Sequence, residues 1–274
     1  MPLFEVDFRK CEGDALCAQV CPLRLIEFRG DNKLPTPIRE AEELCIECGH
    51  CVAVCPRGAL RHKNIPPEEC PPVQSQQLLS PEQMEHLLRS RRSIRVYRRE
   101  PVERETLADL IDLARYAPSG HNRQPVRWLV VYEPRSVREI AGHVADWLAH
   151  MLEQQPEFAA SMHMERVLRG WEAGFDPICR GAPHLVFTHA QEKDTTAPAA
   201  CTIALSYLEL AAGSFGLGGC WGGYVHAASM LWSPLRKSLG LPDGHKAFGA
   251  MMIGRPKVSY QRLPPRRPPE IIWR

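Results

Sequence analysis

The chain has 274 residues, enough for one large or two modest domains with a real core, and its 44% hydrophobic and 24% charged content is that of an ordinary globular protein. A net charge of +2 is too balanced to suggest nucleic acid as a partner. The most apolar long stretch, residues 201–232, carries Glu209 and His226 and is broken by six glycines, so it reads as a buried helix and a loop, not a membrane span. Charge is uneven: residues 1–60 hold 7 Lys/Arg against 10 Asp/Glu, and the remainder 27 against 22, which fits two modules in one chain. Seven of the 11 cysteines fall within the first 55 residues at metal-ligand spacing, which argues for a reducing compartment and against a disulfide framework. The first ten residues lack the apolar core of a secretory leader, so the cytoplasm is the expected location.

In chain order, residues 4–8 alternate apolar and acidic side chains and predict a short half-buried strand. Next come Cys11, Asp14, Cys17 and Cys21-Pro22, then a second apolar segment at 25–28. Residues 45–56 repeat the pattern with Cys45, Cys48, Cys51 and Cys55-Pro56, so Asp14 stands where the second cysteine would be. Four cysteines at spacings of two, two and three, followed by proline, form an iron–sulfur ligand run; zinc usually takes two separated Cys-x-x-Cys pairs.

Residues 1–60 thereby resemble a two-cluster bacterial-type ferredoxin, and a ferredoxin domain is expected over 1–62. The resemblance implies crossed ligation, with Cys21, Cys45, Cys48 and Cys51 holding one [4Fe–4S] cluster. Cys11, Cys17 and Cys55, with or without Asp14, would hold the other as a [4Fe–4S] or [3Fe–4S] cluster. Carboxylate is a harder ligand than thiolate and binds iron less firmly. The two potentials should therefore differ.

Residues 63–80 are rich in proline and polar side chains without periodicity and read as a semi-extended linker, with Cys70 an ordinary thiol. Amphipathic spacing predicts helices at 81–88 and 106–116. Between them Arg91, Arg92, Ser93 and Arg95 offer forked donors suited to phosphate oxygens. A loop with Pro118, Ser119, Gly120, Asn122 and Gln124 leads into a strand at 127–131, and its hydroxyl and carboxamides suit a heterocycle with donors and acceptors.

The Arg-Arg-Ser-Ile-Arg and Pro-Ser-Gly-His-Asn-Arg-Gln-Pro runs resemble the FMN-binding signature of the nitroreductase family. Further stretches agree: 181–187 with a family strand, 208–217 with its long core helix, 216–223 with its flavin-facing turn, and 263–268 with its C-terminal phosphate segment. The likeness spans about 85–274, inside an expected FMN domain at 81–274. It implies that Arg91, Arg92, Ser93, Arg266 and Arg267 hold the FMN phosphate, that Arg95 and Asn122 bond the flavin's pyrimidine edge near Gln124, and that backbone amides around Trp221, Gly222 and Gly223 approach N5 and O4. Two departures stand out: Gly223 where some members have an acidic residue, and Pro265 where others have lysine.

The fold class expected is α+β, a bacterial ferredoxin-like domain followed by a nitroreductase-like three-layer α-β-α domain around a mainly antiparallel sheet. The resemblance also implies a homodimer with FMN between subunits, and a tail at 271–273 that adds to the partner's sheet. The implied function is an FMN-dependent reductase fed through iron–sulfur clusters, passing electrons to a nitro compound, quinone or activated alkene. Its donor would be an external protein or NAD(P)H. A non-catalytic redox sensor or relay, or a flavin-dependent dehalogenase, is the alternative. No side chain is assigned a catalytic role. Residues 151–180, with Met151, Phe158, Met162, Met164, Trp171 and Phe175, suit either a substrate lid or a packing helix. The glycines at 216–222 only superficially resemble a dinucleotide fingerprint, and the histidines at 143–245 show no metal spacing.

Overall fold

The computed structural model of the chain describes residues 2–29 and 34–274; Met1, part of the stretch read for a leader, lies outside the described residues. Two compact units emerge. One comprises Met1–Leu78 with His121–Arg123, the other Leu79–Gly120 with Gln124–Arg274.

The first unit is the same short design used twice. It runs β1 (Phe4–Val6), α1 (Leu16–Gln19), β2 (Ile26–Arg29), β3 (Leu34–Pro37), α2 (Ala41–Leu44), α3 (His50–Ala53) and β4 (Leu60–His62). β1 pairs antiparallel with β4, so the two ends of the repeat close on each other, and β2 pairs with β3. Left-handed backbone recurs at matching places of each half: Gly13 with Glu47, Ala15 with Gly49, Arg24 with Gly58. In each pair one member is not glycine, and a non-glycine residue there costs roughly 1–2 kcal/mol. The turn geometry is thus imposed on both halves whatever residue stands there. Leu3, Phe4, Leu25, Ile26, Val52 and Leu60 form the small core. Ile65 and Cys70 pack against it too, and single 3₁₀ turns at Pro67–Glu69 and Ser75–Gln77 interrupt the extended chain that follows.

The second unit opens with α4 (Pro81–Ser90), set by a capping box in which Ser80 and Gln83 each accept the other's backbone N–H. α5 (Arg104–Ala114), β5 (Arg127–Val131), α6 (Pro134–Gln154), α7 (Pro156–Ser161), α8 (Met164–Glu172) and β6 (His184–Gln191) follow. The chain ends through α9 (Ala197–Ala212), β7 (Gly218–Trp221), α10 (Gly223–Leu231), α11 (Ser233–Ser238) and β8 (His245–Gly254). The sheet has order β5-β6-β8-β7 with every pairing antiparallel. Alternate residues of β6 and β8 face opposite ways, and both faces are apolar. Leu185, Phe187 and Met252 pack with Val144, Trp147 and Leu148 of α6, while Val186, Met251 and Ile253 pack with Leu107 and Leu110 of α5 and Leu205 and Leu208 of α9. That is a three-layer α-β-α domain. Each large side chain so buried contributes about 1.5–3 kcal/mol.

Three elements differ from the sequence expectation. α6, 21 residues long, was not anticipated; Pro134 begins it in the first turn and Pro156 follows its end. The core helix expected at 208–217 is Ala197–Ala212, with Pro198 in its first turn and a left-handed Gly216 closing the 3₁₀ turn behind it. The glycines of 216–223, expected as a turn, place four residues in β7. Glycine is needed there for close approach: a Cβ on Gly218 would lie 2.2 Å from Ile94 Cγ1. Among the described residues no helix is long and apolar enough to cross a membrane.

Buried histidines set a pH limit on this unit. Nε2 of His184 accepts the Val102 N–H at 2.8 Å, which leaves Nδ1 to donate to the Tyr132 carbonyl at 2.6 Å. His189 and His245 share one proton across Nδ1 atoms 2.9 Å apart. Burial holds His184, His189 and His226 below the ordinary value of 6.5, with His245 and Arg127 adding to the effect on His189. The unfolded chain then takes up these protons first. Stability is complete above about pH 6.5 and falls below it, by up to about 1.4 kcal/mol per pH unit per histidine. Denaturant midpoints measured from pH 7.5 to 5 should decline accordingly, and a flat profile would refute this account.

Candidate functional site

The first unit sorts its ligand-type residues into two cavities. Cys21, Cys45, Cys48 and Cys51 line one with Ile26 and His62; Cys11, Asp14, Cys17 and Cys55 line the other with Val6 and Leu60. Each cavity therefore draws three positions from one half of the repeat and one cysteine from the other. Those crossing cysteines are treated alike: the Leu25 N–H donates to Cys21 Sγ at 3.3 Å and the Ala59 N–H to Cys55 Sγ at 3.2 Å. Among the described residues no three such side chains converge as ligands of a single ion. Thiols ringed around an apolar cavity fit a cluster better than a zinc ion. Burial pushes the Cys51 thiol up to about 11 and raises those of Cys17 and Cys45, so ligation has to expel protons from them.

His62 is a cavity residue that sequence reasoning missed. Its Nδ1 accepts the Asn64 N–H at 3.2 Å, which puts the proton on Nε2, 3.7 Å from Cys45 Sγ. A lone histidine ending a strand gave no signal of this. Asp14 is exposed, and its Oδ1 accepts the Leu16 N–H at 3.1 Å at the entry to α1.

In the second unit, the Ile94 N–H donates to the Gly219 carbonyl at 2.9 Å and lays residues 91–95 along β7. Arg91 Nη1 bonds Glu209 Oε1 at 2.9 Å, and Trp221 Nε1 donates to Glu209 Oε2 at 3.1 Å. Glu209, a nearly buried carboxylate on α9, thus fixes two residues expected at the flavin. Its charge inside an apolar helix was the available signal. Arg92 lies over the Tyr260 ring at 5.5 Å, and the Tyr260 hydroxyl donates to the Ser93 carbonyl at 3.4 Å. Arg266 and Arg267 stand exposed beyond β8 and line neither cavity described below.

Arg95, Trp221, Gly222 and Gly223 line one cavity of about 370 Å³, with Phe158, Met162 and Met164 on its wall. The Gly222 N–H is committed to the Ala250 carbonyl at 2.9 Å, while the start of α10 leaves the N–H groups of Gly223 and Tyr224 without intrahelical acceptors. The Tyr224 hydroxyl donates to the Met162 carbonyl and ties the segment between α7 and α8 to this wall. Met151 and Met164 are buried core residues, whereas Phe158 and Met162 remain exposed.

Ser119 and Gln124 line a different cavity, with Arg127 and Trp128 of β5. Ser119 Oγ accepts the Gln124 N–H at 2.9 Å, and His121, Asn122 and Gln124 all hold left-handed backbone. Strain of about 1–2 kcal/mol per such residue gathers where geometry has a use. Pro118 and Gly120 flank this loop, with Gly120 against Thr196. His121–Arg123 group with the first unit, inside which Asn122 Nδ2 donates to the carbonyls of Ile46 and Glu47 at 3.1 and 2.9 Å. One chain therefore gathers the Arg95–Trp221 set and the Ser119–Gln124 set in separate places.

Because Ile94 abuts Gly218, Gly218→Val should push residues 91–95 off β7. The variant is expected to lose about 1–3 kcal/mol of stability to this overpacking, and a wild-type denaturant midpoint would contradict the role given to this contact.

Nitroreductase-family sequence features match over residues 88–255, more than half of the chain, and a 4Fe-4S dicluster domain matches over residues 10–60. The chain belongs to the nitroreductase family. This family member is 30% identical over 200 residues to an NADH dehydrogenase of Thermus thermophilus, covering 67% of the chain and 92% of that protein. Its N-terminal part is 41% identical over 56 residues to a "Ferredoxin 7Fe" of Hydrogenibacillus schlegelii, covering 20% of the chain and 65% of the ferredoxin, so the chain spans just under two thirds of that relative's length. A nitroreductase with bound FMN from Desulfitobacterium hafniense superposes with a TM-score of 0.56 at 25% identity, covering 71% of the chain and 99% of that structure.

Proposed function

We propose that this nitroreductase-family protein is an FMN-dependent reductase in which two iron–sulfur clusters pass electrons to the flavin, and the flavin reduces an organic acceptor. The observation that carries the reading is the pairing, in one chain, of two cysteine-lined cavities with residues suited to a flavin. Bound FMN supplies the conversion between one-electron input and two-electron output. The FMN-bound relative from Desulfitobacterium hafniense supports that cofactor. The proposed division is a cluster domain over 1–62, a linker over 63–80 and a flavin domain over 81–274.

Cys21, Cys45, Cys48 and Cys51 are the proposed ligands of a [4Fe–4S] cluster, and Cys11, Cys17 and Cys55 those of a [3Fe–4S] cluster, with Asp14 standing where a fourth ligand would be. The seven irons in the ferredoxin relative's name equal one cluster of each kind. Thiolate ligation favours a reducing compartment, and the cytoplasm is the proposed location. His62 Nε2–H, 3.7 Å from Cys45 Sγ, would stabilise the more negative reduced form of a cluster held there. His62→Leu should lower that cluster's potential in an EPR-monitored titration while leaving the other unmoved.

Arg91, Arg92 and Ser93, with Arg266 and Arg267, would bind the FMN phosphate, and Arg95 the pyrimidine edge, with the free N–H groups at the start of α10 near the ring. Separation of the Ser119–Gln124 set from the Arg95–Trp221 set within one chain supports a homodimer in which each subunit completes the other's site. The exposed Ile271, Ile272 and Trp273 would pack on that partner. A one-electron donor protein, or NAD(P)H acting through a separate flavin-containing reductase, would reduce the clusters. The cavity beside Trp221 favours an enzyme over a relay. Iron and FMN counted per chain in an anaerobic preparation, followed by turnover against nitro, quinone and enone acceptors, tests the proposal. Absence of bound flavin or of turnover with every acceptor would defeat it.

A further inference from the structure

Among the residues lining the cavity beside Trp221, Arg95 and Arg180 are cationic and none is acidic. Arg95 is claimed by the flavin in the reading above. Arg180 has no such use.

The loop that carries Arg180 is built. Asp176 Oδ1 accepts the N–H groups of Ile178 and Cys179 at 3.1 and 2.8 Å, and Oδ2 accepts that of Gly181 at 2.9 Å. The nearest carboxylate in sequence is therefore spent on backbone donors. Arg180 itself holds a left-handed φ of 58°, which an arginine adopts only where its surroundings enforce it. Its charge is felt within the cavity, where it opposes the effect of burial on the Tyr224 hydroxyl and the Cys220 thiol. Phe158, Met162, Trp147 and Ile178 supply apolar walls. No carboxylate lines the cavity beside this guanidinium, and its fork matches a carboxylate.

We infer that this cavity selects acceptors of the aryl carboxylate class, with Arg180 holding the carboxylate and the apolar walls holding the ring. The inference rests on the proposed reading only in taking this cavity as the acceptor side of the flavin.

Binding to fully oxidised, FMN-loaded protein without any electron donor tests it, with 4-nitrobenzoate and its neutral counterpart 4-nitrobenzamide as probes and flavin absorbance as readout. Wild type should bind the acid about tenfold or more tightly than the amide, the scale of a hydrogen bond to a charged group. Arg180→Gln should erase that preference without changing amide affinity, and Arg180→Lys should keep part of it. Equal binding of both probes, binding of neither, an undiminished preference in Arg180→Gln, or loss of flavin from that variant would each overturn the inference. No electron moves in this titration. A protein that prefers the acid but reduces nothing would fail as a reductase while the inference stood, and one that reduces neutral acceptors without preferring the acid would fail only here.

Discussion

Replacing Cys21 with alanine is expected to remove the cluster of the second cysteine run and to spare that of the first, although Cys21 belongs to the first run. Cys21 lines the cavity of Cys45, Cys48 and Cys51, and its thiol is oriented by the Leu25 N–H. Loss of one thiolate leaves an iron corner open in an apolar cavity, and about four irons per chain should disappear. Cys55→Ala is the mirror experiment and should empty the site of Cys11 and Cys17 instead. EPR recorded before and after reduction separates the two outcomes, because a [3Fe–4S] cluster gives its signal when oxidised and a [4Fe–4S] cluster when reduced. Loss of the first-run cluster from Cys21→Ala would contradict the crossed arrangement. Asp14→Cys should meanwhile raise the iron content by one.

The second large effect concerns the flavin. Arg95→Glu and Gln124→Arg, expressed separately, should each purify with little FMN, because each spoils one half of every site. Mixed as heterodimers, the two chains should regain flavin: one site carries both lesions and the other carries neither. With equal chains and random pairing, about a quarter of all sites are intact. Flavin measured on the refolded or coexpressed mixture would then exceed that of either parent many-fold. Failure to recover flavin, with dimers shown to have formed, would place both residues in the same half-site and sink the shared-site reading. The separate cavities of Arg95 and Gln124 are what motivate the experiment.

Local chemistry was legible in the sequence where it is written as spacing. The two cysteine runs were legible as spacing, whereas their crossed grouping was implied only by the ferredoxin resemblance; the two cavities bring the same residues together. β5 was legible at 127–131 because a compact apolar run between turn residues leaves few choices. The glycines of β7 misled, since a missing side chain reads as a turn when its purpose is to admit Ile94 and Met251. α9 was begun too late because Pro198 was not taken as a first-turn residue. Glu209 and His62 gained their meaning only from partners 118 and 17 residues away in the chain, Arg91 and Cys45. No local pattern announces such pairs. Which flavin-type residues one chain gathers was equally beyond the sequence, because it depends on how α5, β5 and α9 enclose one cavity while β7 and α10 border another.

The route of electrons into the flavin can be followed directly. In an anaerobic stopped-flow experiment, protein with both clusters reduced and FMN oxidised at the outset should bleach the flavin band faster than steady-state turnover. The Cys21→Ala and Cys55→Ala variants, loaded with FMN and treated in the same way, should bleach far more slowly. Flavin reduction by NADH or NADPH at wild-type speed in both variants would show that the clusters are not its input.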